Sequence, residues 1–202
     1  KLFSDSDGKN EISAPEAIPK LVLPKYSVTF YDEDGTTPLK VNVTLEDGTV
    51  TQMETVRYDA NTPVENIFRP IPPAKTDFLF VKWVSTADNA SGIAPVTADA
   101  GYKAVYESLV RTTSDSDGMF TYRLNADKTE ATLLKFNGTD LNGSTSVQLV
   151  VGAMDGVPLV AIGEGAFRDN PNKDTLTSLQ FPAGVKTIGD YAFADCPALT
   201  RR

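Results

Sequence analysis

The chain has 202 residues, enough for one large or two small domains, and 19 basic against 27 acidic side chains give a net charge of −8. An acidic chain without a basic cluster is a poor partner for nucleic acid or an anionic membrane surface, because phosphate neutralisation supplies most of that affinity. There is no histidine and one cysteine, Cys196, which removes the commonest general base and metal ligand, any internal disulfide and any Cys-x-x-Cys motif. The 14 glycines and 13 prolines are spread along the chain and favour short strands and turns over long helices. No apolar run approaches the roughly 18 residues needed to cross a bilayer. No signal peptide is visible, and a start at Lys1 rather than Met is expected of a trimmed or mature segment.

Residues 1–25 read as an extended, proline-rich tether. They are polar at first, and Pro15, Pro19 and Pro24 interrupt any helix. Residues 26–107 read as an independent domain. Val28 and Phe30 alternate with Ser27, Thr29 and Tyr31, the period of a half-buried strand. Leu39, Val41, Val43 and Leu45 alternate likewise, Asp47-Gly48 signals a hairpin, and 50–58 is the expected return strand. Thr62, Pro63 and Glu65 form a helix-start signature, with Val64, Ile67 and Phe68 on one face and Pro70, Pro72 and Pro73 as the stop after about two turns. Strands over 78–84 and 101–107 complete the domain, rich in aromatic and β-branched residues. The order predicts a small sheet covered by one helix, an α+β arrangement.

Three stretches of this domain resemble the Listeria–Bacteroides repeat, the B-repeat module of internalin-like proteins. They are Val28-Thr-Phe-Tyr-Asp-Glu-Asp-Gly35, Phe78-Leu-Phe-Val-Lys-Trp83, and Val96-Thr with Tyr102-Lys-Ala-Val-Tyr106. Lys82 and Asp77 stand where that family usually has glycine. The resemblance implies a β-grasp-like fold used as a stalk or spacer module on bacterial surfaces, with Trp83 as a core anchor rather than a sugar-stacking platform.

Residues 108–118 read as a linker. Ser114-Asp-Ser-Asp-Gly118 repeats Ser4-Asp-Ser-Asp-Gly8, which suggests a recurrent joint. Residues 119–125 and 131–137 alternate and should pair as a hairpin around Asp127-Lys128. A further strand over 147–151 is expected to run on into 154–156. Residues 119–155 are then the N-terminal cap of a solenoid formed by 156–202, since terminal repeats are atypical.

In 156–202, Ile162, Gly163, Ala166 and Phe167 recur 26 residues on as Ile188, Gly189, Ala192 and Phe193, and Asp169-Asn170-Pro171 recurs as Asp195-Cys196-Pro197. Removing a three-residue excess within 172–175 leaves a unit of about 23 residues, within the range of leucine-rich repeats. So short a unit cannot bury its own apolar side and must stack on a neighbour. Leu176, Leu179 and Phe181 would form the other wall of the coil. Ile-Gly-x-x-Ala-Phe-x-x-Cys-x-x-Leu resembles the BspA-type leucine-rich repeat of bacterial surface proteins. That resemblance implies an extracellular, non-enzymatic, adhesive or ligand-binding role and no catalytic residue.

Other chemistry is thin. Asp-x-Asp-Gly occurs at Asp5/Asp7, Asp32/Asp34 and Asp115/Asp117, but without the twelve-residue loop and closing glutamate of a helix-loop-helix calcium site. Asp155, Glu164, Asp190 and Asp195 are the carboxylates near the repeats, and nothing in their spacing pairs two across a cleft as a glycosidase needs. Glu164 and Asp190 are equivalent and should stack as a solvated column. No Gly-x-Ser-x-Gly or phosphate-cradling glycine loop appears. Cys196 reads as a buried structural thiol. Asn42, Asn89, Asn137 and Asn142 lie in Asn-x-Ser/Thr sequons, relevant only in a eukaryotic secretory route.

The expectation is therefore a mostly β or α+β fold: a small β-grasp-like domain, then a capped leucine-rich-repeat β-solenoid of two repeats, truncated. It would be a bacterial cell-surface segment without cofactor, metal or membrane insertion, binding a host protein or glycan through its repeat face. The alternatives are a purely structural stalk, or an accessory binding module of a carbohydrate-active enzyme. A recognition face would carry an exposed aromatic or charged patch; a stalk would carry none; an enzyme would cluster carboxylates in a pocket. Two repeats fall short of the roughly three that a solenoid wants, so a longer native chain and end-to-end association through the last repeat are expected as well.

Overall fold

The computed structural model describes residues 22–114, 118–138, 147–150, 152–170 and 174–200, with backbone alone at 147–150. The expectations for Asp5 and Asp7, Asp115 and Asp117, Asn142 and most of the tether fall outside these residues. The fold is mostly β, made of several small sheets, with no α-helix among the described residues. Two compact units are present, 1–70 with 84–103 and 71–83 with 104–202.

In the first unit, β1 (Lys25–Tyr31) buries Val28 and Phe30 and leaves the residues between them half-exposed, as the alternation predicts. The hairpin β2 (Val41–Thr44) and β3 (Val50–Met53) turns at Asp47-Gly48, where Gly48 takes φ +82° and Asp47 accepts the Thr49 N–H at 2.9 Å. The expected return strand over 50–58 is split at Glu54. β3 answers β2, whereas β4 (Thr55–Asp59) runs antiparallel to β1 and buries Val56 and Tyr58. One straight strand could not serve both sheets, so the chain bends between them. β5 (Phe78–Ser85) and β6 (Ala100–Ser108), whose residues 78–83 and 104–108 belong to the second unit, complete a sheet of order β4-β1-β6-β5, in which β1 and β6 are parallel. Phe30 stacks on Tyr102 with ring centroids 5.6 Å apart.

The expected two-turn helix is a single 3-10 turn, Val64–Asn66. Thr62 does not cap it; its hydroxyl donates to the Asp59 carbonyl, and the Phe68 N–H goes to the Tyr58 hydroxyl. Between Pro63 and Pro70 there is no length to offset the cost of helix nucleation. The α+β expectation for this domain is corrected accordingly.

In the second unit, β7 (Val110–Thr112), β8 (Phe120–Leu124), β9 (Ala131–Phe136), β11 (Leu159–Ile162) and β13 (Thr187–Ile188) form one sheet of order β13-β11-β9-β8-β7. β8 and β9 are the predicted hairpin; Lys128 takes φ +59° in its turn, and the Asn125 carboxamide oxygen accepts the Thr129 and Glu130 N–H groups. β11 pairs in parallel with both β9 and β13. A second, two-stranded parallel sheet joins β10 (Val147–Val150) to β12 (Leu176–Gln180). Two local expectations differ. β7 lies inside the stretch read as a linker. The 147–151 strand does not continue into 154–156, because Asp155 (φ +47°) and Gly156 (φ +84°) make a tight turn closed by a Met154–Val157 bridge.

The two sequence copies lie side by side. Gly163 N–H donates to Leu133 O at 2.7 Å, and Gly189 N–H to Ile162 O at 2.8 Å. Phe136 N–H donates to Ala166 O and Phe167 N–H to Ala192 O, each at 2.8 Å. These glycines are needed for close approach rather than for turning. A Cβ on Gly163 would sit 2.8 Å from Leu133 O, and one on Gly189 would sit 2.6 Å from Glu164 N. The bonds also register an earlier stretch, with Leu133 and Phe136 standing before Ile162 and Phe167 as those stand before Ile188 and Phe193. The rings form a column: Phe120–Phe136 at 5.5 Å, Phe136–Phe167 at 5.4 Å and Phe167–Phe193 at 5.3 Å. Phe136 and Phe167 are fully buried.

Candidate functional site

Three places compete as sites: the outward face of the five-stranded sheet, the turns beyond its strands, and the acidic loop of the first unit. The outward face is set by register. Arg123, Thr132, Ala161 and Thr187 stand opposite one another across β8, β9, β11 and β13, and Thr112, Thr121 and Lys135 across β7, β8 and β9. Their chain neighbours Tyr122, Leu133 and Ile162 point the other way and are buried. The face is thus made largely of threonine and alanine. Its cations are partly engaged: Arg123 is held by Asp77 at 2.5 Å, and Lys186, beside Thr187, by Glu130 at 3.2 Å. The large exposed apolar side chains of this region, Ile188 (59%) and Tyr191 (68%), belong to the last strand and its turn.

The turns after β11 and β13 carry Glu164 and Asp190. Both side chains are exposed, and the Gly165 N–H donates to Asp190 O at 3.0 Å, so these two equivalent carboxylates project from adjoining turns into water. Asp155 is engaged elsewhere. It accepts the Ser114 N–H at 2.9 Å and the Tyr122 hydroxyl at 2.9 Å. Burial raises the Tyr122 pKa above the ordinary tyrosine value, and donating to Asp155 raises it further. Asp195, at φ +56°, borders an open cavity of about 530 Å³ with Asp174, Phe193, Cys196 and Pro197. No three acidic or cysteine groups converge as metal ligands among the described residues.

The Cys196 thiol is buried, with its Sγ 3.4 Å from Phe167 O. The equivalent Asn170 is buried too, and its amide donates to the same Phe167 carbonyl. Asparagine and cysteine thus occupy the same repeat position, and both reach the buried Phe167 carbonyl, Asn170 from its own turn and Cys196 from the next.

In the first unit, the Asp32/Asp34 loop spends its carboxylates on itself. Asp34 accepts the Thr36 and Thr37 N–H groups at 2.7 and 2.8 Å and the Thr37 hydroxyl at 2.5 Å. Those donors, the Thr37 hydroxyl foremost, lower its pKa to about 2. Trp83, in the second unit, is buried and packs on Phe80 at 5.3 Å, the setting of a core ring. Of the sequons, Asn42 and Asn89 are exposed, while the half-buried Asn137 amide donates to Gly118 O and Thr121 Oγ1. Sequence reasoning missed the Asp77–Arg123 and Glu107–Lys128 ion pairs, because their partners are 46 and 21 positions apart and obey no motif.

Comparison with known proteins finds no family model, no curated protein and no solved structure that matches the chain.

Proposed function

We propose that the chain is a non-enzymatic segment of an extracellular bacterial surface protein, in which 156–200 coil as leucine-rich rungs on a cap and the preceding domain is a B-repeat-like module. The paired glycine bonds and the phenylalanine column support the coil, since both repeat from strand to strand at equivalent positions. Its role on this reading is that of a spacer. The observation that carries it is the outward sheet face, made largely of small hydroxyl and methyl groups, with Arg123 and nearby Lys186 already ion-paired and the exposed Lys135 as its further cation. Interfaces that carry binding energy centre on large aromatic or arginine anchors in desolvated pockets, and this face offers threonine instead.

Adhesion to a host protein or glycan is the second reading. It is favoured by the open cavity bordered by Phe193 and Asp195, and by exposed Tyr191. A binding screen of the whole chain against glycans and matrix proteins separates the two. The spacer reading expects no saturable binding. Saturable binding that is lost in Tyr191→Ala would replace it with adhesion.

A further inference from the structure

We infer that two ion pairs form a clasp that makes residues 108–112, part of the stretch read as a linker, a fixed joint within the second unit. The residues come from two sequence segments. Asp77 and Glu107 belong to the ends of the β5–β6 region, and Arg123 and Lys128 to the β8–β9 hairpin. The Arg123 guanidinium grips Asp77 with both arms, Nε at 2.5 Å from Oδ1 and Nη2 at 3.0 Å from Oδ2, the fork geometry that makes arginine–carboxylate pairs strong and directional. Lys128 Nζ pairs with Glu107 Oε1, an oxygen shielded from water that meets no other donor among the described residues. Between the pairs the backbone closes the joint: Leu109 N–H donates to Asp77 O at 2.7 Å, and Leu124 N–H to Leu109 O at 2.9 Å. Ser108 Oγ, which accepts the Val110 N–H at 3.1 Å, stiffens the step into β7.

Backbone geometry supports the assignment independently. Asp77 sits at φ +64° and Lys128 at φ +59°, the left-handed region that costs any residue but glycine. Each pair thus contains one residue held in a conformation glycine would adopt more easily. Each of these charges meets its partner on the opposite segment. Asp77, Arg123, Glu107 and Lys128 are positioning residues on this account. The clasp itself stands on these contacts whether or not the spacer reading holds.

The test is amide hydrogen exchange at Leu109 and Leu124 in the full chain. Arg123→Gln should speed exchange at both amides by roughly tenfold, the loss of a charge-assisted pair, without altering the Phe136 amide. Wild-type exchange at Leu109 should quicken as NaCl rises from about 50 mM to about 1 M, and Arg123→Gln should abolish that salt dependence. Asp77→Gly decides between clasp and strain. It relieves the left-handed backbone and removes the carboxylate together, so exchange quickens if the clasp governs the joint. Leu109 and Leu124 exchanging within about twofold of wild type in both variants, or more slowly in Asp77→Gly, would overturn the inference. Should Arg123→Gln fail to fold, the salt series on wild type and the Glu107→Gln variant give the same decision.

Discussion

The two units bury apolar side chains by different logics. In the first, each core residue has a place of its own. Phe30 stacks on Tyr102, Val56 and Tyr58 fill behind them, and Ile67 closes from a 3-10 turn. In the second, the same place is filled again and again, by Phe136, Phe167 and Phe193 on one column and by Leu133 and Ile162 along adjoining parallel strands. A one-off core tolerates irregular spacing because nothing else must match it. A repeated core demands that backbone, glycine and ring positions recur together, so a fault at one strand and turn should pass to the neighbours bonded to it.

The largest expected effect tests that propagation. Phe167→Ala removes the middle ring of the column and should cost about 3–5 kcal/mol, and it should also loosen the strands and turns on both sides. Phe30→Ala should cost a similar amount but leave the exchange of 131–193 amides unchanged. Chemical denaturation with residue-level exchange checks both. Confinement of the Phe167→Ala effect to its own strand and turn would show that the second core is no more repetitive in its energetics than the first.

Next in size is Gly189→Ala. Its Cβ would fall 2.6 Å from the Glu164 nitrogen, and backbone cannot swing aside as a side chain tip can. A loss of about 1–3 kcal/mol, the usual range for overpacking, is expected. Gly152→Ala is the control, since a Cβ there meets nothing within 4 Å and the φ is not left-handed. Equal stability of the two variants by thermal unfolding would mean that the turns at Gly163 and Gly189 are free to separate.

Smaller still is Asn170→Ala, which strips a donor from the buried Phe167 carbonyl. The penalty for a lost buried partner is about 1–3 kcal/mol. The Cys196 thiol also touches that oxygen, so the low end is expected, and Asn170→Cys should restore part of it. No recovery with cysteine, measured by denaturant midpoint, would remove the claim that the two residues are alternatives at one position.

The contrast also explains what is legible in the sequence. Ile-Gly-x-x-Ala-Phe stands out because both copies make the same backbone bonds and close approaches and so share their constraints. The earlier equivalent is hidden: four residues separate Ile162 from Phe167, but two separate Leu133 from Phe136, so the Gly-x-x-Ala signature is missing although the Phe136 N–H donates to Ala166 O as the Phe167 N–H does to Ala192 O. Without that signature, 119–155 reads only as a cap. In the first unit, alternation finds β1 and β2 because each buries one face. It does not find the bend at Glu54, which depends on two different partner strands, β2 and β1. The helix signature at Thr62 is local chemistry overruled by the Asp59 carbonyl and the Tyr58 hydroxyl. The clasp is invisible because ion pairing between distant segments has no period.

The smallest effect concerns pH and separates the units by charge. Asp34 has its folded pKa lowered to about 2 by the Thr37 and Thr36 donors. A lowered folded pKa means the unfolded chain binds protons first, so whatever the loop contributes is present above the ordinary carboxylate value near 4 and is lost as pH falls towards 2. The group is solvent-exposed, so the loss should be local: the Thr36 and Thr37 amides respond, while the Phe167 column does not. Carbon-detected NMR titration of Asp34 should place its midpoint below those of ordinary exposed carboxylates, and Thr37→Val should raise it towards the unperturbed value. A midpoint of about 4 in the unmodified chain would mean that the Asp34 carboxylate is not held by the turn, and the Asp32/Asp34 loop would then have to be reconsidered as a cation site.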